Sequence, residues 1–178
     1  MQDTIIVITG VMAAGKSTVA EALAHRFPKA VHLRGDAFRR FIVAGREEMS
    51  ANASPEALRQ LDLRYELAAM AARMYWQAGF TVVVQDNYLG RALGDFTALL
   101  GDCPVHCVAL CPSAEAVAQR EAQRGKKGYT GFGVAGLYQM FMEETPRLGL
   151  WLDTSELTVE QTVDAILSRA KEAMLWGV

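Results

Sequence analysis

Charge of one sign is scarce in this sequence, and so are cysteine and long apolar runs. With 18 Lys and Arg against 20 Asp and Glu in 178 residues, the net charge is −2. That provides no general basic field for nucleic acid and leaves only a local patch open. The three cysteines, Cys103, Cys107 and Cys111, form no disulfide framework of the kind that staples small secreted domains. Their even spacing puts them on one face of a predicted strand, with His106 on the other. This argues against zinc, whose structural sites gather close cysteine pairs from turns, and the thiols are expected to be buried and reduced. No apolar run reaches transmembrane length, and a strand begins almost at the N-terminus. The expectation is a cytoplasmic protein without a membrane partner.

Against these absences, 51% of the residues are hydrophobic, enough for a substantial core, and the length suits a single domain over residues 1–178. The chain is organised around Gly10 to Ser17, GVMAAGKS, which matches G-x-x-x-x-G-K-[ST] at every fixed position. Thr4 to Thr9 ahead of it is a β-branched apolar run that reads as a buried strand; Lys16 to Arg26 behind it has apolar residues at helical spacing. Strand, glycine loop and helix in that order form a nest of backbone N–H groups at a helix N-terminus, a receptor for phosphate. Gly10, Val11, Met12, Ala13, Ala14, Gly15, Lys16, Ser17 and Thr18 are therefore the candidate nucleotide-binding residues. Lys16 is expected on the β- and γ-phosphates and Ser17 on Mg²⁺. A guanine-nucleotide switch would also need N-K-x-D, and neither Asn52 nor Asn87 is followed by lysine, which removes that class.

Ala30 to Arg34 is the second strand candidate, with Gly35-Asp36 at its end. Ligands of open α/β sheets sit at the carboxyl ends of strands, so Asp36 is a candidate to take the proton of an attacking hydroxyl. The alternative is an N-cap for the helix AFRRFIVA. Arg39 and Arg40 on that helix could grip a charged group or lie solvated. Gly45 to Ser54 is polar and aperiodic, a loop of the kind that carries substrate contacts. Ser54-Pro55 opens a helix to about Ala78, with Leu58, Leu61, Tyr65, Ala68, Ala72, Tyr75 and Trp76 at helical intervals.

Phe80 to Asp86 is a nearly continuous β-branched strand of central type. Its terminal Asp86 is the candidate metal carboxylate, acting through a bound water. Asn87, Tyr88 and Arg91 follow at the same rim, open to substrate contact or to a plain loop. After the strand Val105 to Leu110, Ser113 caps a helix bearing Arg120 and Arg124 on one face. With Lys126, Lys127 and the glycines to Gly136 they read as a lid over about residues 120–136, stabilising charge on the transferring group. A solvated basic helix end is the alternative. Leu148 to Leu152 gives a fifth strand, and Thr158 with Gln161 forms a capping box for a last helix from Val159 to about Leu175. Five strands alternating with helices predict a three-layer α/β sandwich with a parallel sheet.

Together, GVMAAGKST, Asp36, VVVQD, the Arg120/Arg124 pair and LGLWLDTSELTVEQTV resemble the small P-loop kinases over nearly the whole chain. Within that group the chain is similar to the chloramphenicol phosphotransferase, gluconate kinase and shikimate kinase types. The resemblance implies a P-loop NTPase fold with a five-stranded parallel sheet ordered 2-3-1-4-5. It also implies ATP and Mg²⁺, Asp36 as the base, and a small-molecule hydroxyl acceptor: an antibiotic, a sugar acid or a related metabolite. Phe38 to Ala53 match no acceptor signature. A nucleic-acid end kinase stays open, with Arg39, Arg40 and Arg46 as part of a basic groove, and so does a nucleotide-dependent interaction protein.

Overall fold

The computed structural model describes residues 1–50, 52–123 and 133–176. Most of the expected lid, including Arg124, Lys126 and Lys127, lies outside the described residues. In chain order the elements are β1 (Ile5–Thr9), α1 (Lys16–Ala24), β2 (Ala30–Arg34), α2 (Gly35–Arg40), α3 (Pro55–Gln77), β3 (Thr81–Gln85) and α4 (Ala92–Leu99). Then follow β4 (Val105–Leu110), α5 (Ala114–Gln123), α6 (Val134–Glu144), β5 (Leu150–Leu152), α7 (Val159–Ser168), α8 (Ala170–Ala173) and β6 (Met174–Trp176). The first five strands form a parallel sheet in the order β2-β3-β1-β4-β5, the order the resemblance implied.

The central strands are continuous apolar runs because helices cover both faces. Alternation along β1 sends Ile5 and Val7 into one core with Val82, Val84, Ala68 and Ala72 of α3 and Phe96 of α4. Ile6 and Ile8 enter the other with Val19 and Leu23 of α1 and Val163 and Ile166 of α7. A one-residue slip would exchange the two sets, so the pairing of Ile6 with Val83 and of Val7 with Cys107 is held from both faces. Helix α3 starts as its sequence dictates. The Ala57 N–H donates to Ser54 Oγ at 3.0 Å, and Pro55 takes the first helical position. Its apolar face is narrower than expected, since Leu58 and Tyr75 are exposed.

The last helix does not run to Leu175. It stops at Ser168, and after the short α8 the chain turns into β6, antiparallel to Val105 and His106 of β4. β5 pairs only Val108 to Leu110, which leaves the lower edge of β4 unpaired, and β6 satisfies those backbone groups. The cysteines divide as well. Cys103 and Cys107 belong to the core under α3 and α4, whereas Cys111, past the end of β4, is half-buried against the opposite core. All three thiols are free, and burial pushes Cys107 and Cys111 up to about 12.

Candidate active site

β1 delivers its following loop to the carboxyl edge of the sheet, with φ of 147° at Gly10, 65° at Ala13 and 92° at Gly15. Positive-φ turns of this kind are the backbone pattern from which anion-binding nests are made. A Cβ at Gly10 would lie 2.7 Å from the Leu110 carbonyl oxygen of β4, whereas one at Gly15 would meet nothing within 4 Å. Gly10 thus serves close packing, and Gly15 serves its φ and an open approach. Ala13 holds the same left-handed region with a side chain, backbone strain of the sort that collects at binding sites. Gly15 caps α1 without a side-chain hydrogen bond, so the helix N-terminus faces the loop as an anion receptor. Lys16, 8% exposed, folds back and donates to the carbonyls of Gly10 at 2.9 Å and Val11 at 2.8 Å. Val11 and Ala14 are buried, Thr18 is exposed, and Ser17 Oγ accepts from Gln85 Nε2 at 3.2 Å.

Asp86 stands one residue past β3 and is buried. Its Oδ1 accepts from Arg64 Nη2 at 2.6 Å and from the Asn87 N–H at 2.7 Å, while Oδ2 is buried without a hydrogen bond. A Cβ at Gly35 would lie 2.1 Å from that Oδ2, so the bare backbone at the β2–α2 junction is what makes room for the carboxylate. Burial raises the Asp86 carboxyl above the ordinary range, opposed by Arg64, the Asn87 N–H and Lys16. Burial likewise disfavours the Arg64 charge, but Asp86, Tyr65, Tyr88 and Asp36 together outweigh this and hold the guanidinium above its usual value. Each charge compensates the other, since neutralising one member would leave its partner buried and uncompensated.

Asp36 is neither a strand residue nor an N-cap. α2 begins directly at Gly35 with Arg34 as its extended cap, which puts Asp36 in the first helical turn, and the helix ends at Arg40 instead of running on. The Asp36 carboxylate accepts from Arg40 at 2.7 Å and lies 3.6 Å from Arg34 Nε. It is near enough to act electrostatically on both Asp86 and Arg64.

Two cavities flank these groups. One, of about 280 Å³, lies beside Ala14, Gly15 and Thr18 and is walled by Arg120, Thr154 and Thr158. Arg120 Nη2 donates to the carbonyls of Thr154 at 2.8 Å and Ser155 at 3.3 Å, tying α5 to the loop after β5. The other, of about 540 Å³, is lined by Met12, Glu48 to Ser50, Asn52, Ala53, α3, Asn87 and α6.

Of the rim residues, Asn87 lines the larger cavity, but Tyr88 is fully buried and stacks on Phe96 at 4.0 Å, and Arg91 is exposed to solvent. Tyr88 is pulled inward because its ring completes the apolar cluster under α3 and α4. Arg64 and Gln85 escaped sequence reasoning. Arg64 carries a signal: it falls three residues after Leu61 and four before Ala68, a charge inside the helix's apolar stripe. Gln85 stands out only as the polar residue between VVV and Asp86.

Among the described residues no helix is long and apolar enough to cross a membrane, and no three His, Cys, Asp or Glu side chains gather into a metal site. No curated protein matches the chain in sequence. Solved structures do match. The Mycobacterium tuberculosis APS kinase in complex with AMPPNP and APS is 16% identical over 96% of this chain and 98% of its own, with a TM-score of 0.68. The tunicamycin resistance protein of Deinococcus radiodurans is 17% identical over 98% and 99%, with a TM-score of 0.65. A gluconokinase from Sinorhizobium meliloti is 22% identical over 96% and 94%, with a TM-score of 0.61. These likenesses show a shared P-loop α/β fold. The model of the AAA domain family matches residues 5–141, a span that carries the phosphate loop, Asp36, Arg64 and Asp86, and the chain belongs to that family.

Proposed function

We propose that the protein is an ATP-dependent phosphotransferase that moves the γ-phosphate of MgATP to a hydroxyl of a small molecule. One observation carries this reading. The larger cavity is walled by Met12 of the phosphate loop and by Arg64, the ion-pair partner of Asp86, so donor and acceptor would meet at the carboxyl edge of the sheet.

The residues present fit a nucleotide. The nest from Gly10 to Thr18 would hold the phosphates, and the smaller cavity beside it would take the nucleoside against Arg120 and Thr158. Ser17 Oγ and the unpaired Asp86 Oδ2 would hold Mg²⁺ together with phosphate oxygens, and the cation would supply charge neutralisation there. Lys16 would exchange its loop carbonyls for phosphate oxygens. Asp36, oriented by Arg40, takes the proton as the acceptor oxygen bonds to phosphorus and ADP leaves. Arg120 covers the nucleoside end, and Arg124 belongs to a lid over about residues 120–136 of a single domain. Arg39, Arg40 and Arg46 each face an acidic partner, which speaks against a basic groove for nucleic acid. A cytoplasmic location, with its ATP supply, goes with the reading.

The test is ADP release by the purified protein across a panel of sugars, sugar acids, nucleosides and aryl alcohols. Release that depends on an alcohol and is lost in Lys16→Ala is expected. If no alcohol raises turnover above hydrolysis to water, the protein is a nucleotide-dependent interaction module instead.

A further inference from the structure

The larger cavity also bears on which acceptor is taken, an inference that rests on the phosphotransferase reading. Its volume of about 540 Å³ falls inside the range of roughly 300–1,000 Å³ that encloses most of a drug-sized ligand. Apolar residues, among them Met49, Leu58, Leu61, Leu89, Leu137 and Met140, make up most of its wall.

Among the described residues, each charged group on that wall has an ion-pair partner, although Arg64 Nε is buried without a hydrogen bond. Arg39 is bonded to Glu48, and Arg64 to Asp86 at 2.6 Å. An anionic ligand at Arg64 would have to displace a buried carboxylate and leave it uncompensated, whereas at Arg39 it would compete with the exposed Glu48. A polyol would have to leave its hydroxyls against thioether and leucyl surface without partners. Among the described residues, the accessible polar groups without a partner are neutral. The side-chain amides of Asn52 and Asn87 line the cavity and hold no hydrogen bond within the described chain. We infer that the acceptor is an uncharged, predominantly apolar alcohol with one or two neutral polar groups, taken in preference to sugar acids and phosphorylated acceptors.

Direct binding tests this without nucleotide. 2-(2-Naphthyl)ethanol, followed by its fluorescence, and gluconate, followed by calorimetry, are titrated into the wild-type protein, Leu58→Asp, Met140→Asp and Met70→Asp. Leu58 and Met140 lie on the rim of the cavity at 48% and 37% exposure, and Met70 is exposed on the same long helix outside it, so none is a core position. The naphthyl alcohol is expected to bind about 10-fold or more tightly than gluconate, and a carboxylate at position 58 or 140, but not 70, to weaken it by about 10-fold. Equal or tighter binding of gluconate overturns the inference, and so does binding of the naphthyl alcohol that neither rim variant weakens. ADP release with each alcohol separates the two readings. Specific alcohol binding without phosphate transfer upholds this assignment and sinks the phosphotransferase, whereas transfer to gluconate with no alcohol bound does the reverse.

Discussion

The two flanks of the sheet's carboxyl edge are built from different materials. On the nucleotide side the site is backbone: φ values at Gly10, Ala13 and Gly15, a helix N-terminus, and a lysine tied to two loop carbonyls. On the other flank it is side chains from distant segments, with Arg64 of α3 paired to Asp86 past β3 where no Cβ stands at Gly35, and Asp36 of α2 close enough to act on both. A backbone site depends on local conformation and is written in a short motif. A side-chain site depends on which elements pack together, and no spacing along the chain encodes it.

The contrast between Asp36 and Asp86 is the sharpest way to break this comparison. Asp36 is partly exposed, so Asp36→Asn is expected to keep stability and MgATP affinity while losing roughly 10²- to 10⁴-fold in transfer. Asp86→Asn leaves the buried Arg64 charge without its partner and is expected to lose about 3–5 kcal/mol of stability. Urea unfolding beside a transfer assay reads both. A stable Asp86→Asn, or an Asp36→Asn with near-normal turnover, would erase the distinction.

Lys16→Ala probes the backbone side. Loss of its charge on the phosphates is expected to lower turnover by about 10²- to 10³-fold, with urea unfolding near wild type. Collapse of the fold instead would mean that the two carbonyl contacts hold the loop up.

A pH series calibrates these measurements from the opposite end of the sheet. Burial, with the N-terminal ammonium, depresses His106 from 6.5 to about 4, and its Nδ1 lies 3.0 Å from Thr4 Oγ1. Because the folded value is below the unfolded one, its contribution is complete above the unfolded value and is lost as pH falls through the interval toward the folded one. The expected loss is about 2 kcal/mol, roughly 30-fold in the folding constant. His106→Gln should flatten that acid limb, and an unchanged limb would assign it to other groups.

The smallest effect is expected at Arg120. Its guanidinium is tied to the carbonyls of Thr154 and Ser155 beside the smaller cavity, where the proposed function has the nucleoside. Arg120→Ala should raise the KM for ATP by about 10-fold with little change in kcat, the scale of a single cation–π contact. A drop confined to kcat would move Arg120 to the transferring phosphate.

The sequence by itself determined the strand–loop–helix at Gly10 to Ser17, the buried β-branched strands, the Ser54 and Thr158 helix starts and, through the resemblance, the sheet order. Each rests on interactions within a few residues or on a periodicity that states which faces are covered. Only the tertiary structure decided that Arg64 pairs with Asp86, that Gln85 reaches Ser17, that Tyr88 turns into the core and that the C-terminal segment becomes β6. Arg64 and Asp86 are 22 positions apart and Gln85 and Ser17 68 apart. β6 exists because the short β5 leaves part of β4 open. Such features follow from unsatisfied groups that appear only once the layers have packed, when burial makes an unpaired charge or backbone N–H too costly to leave alone.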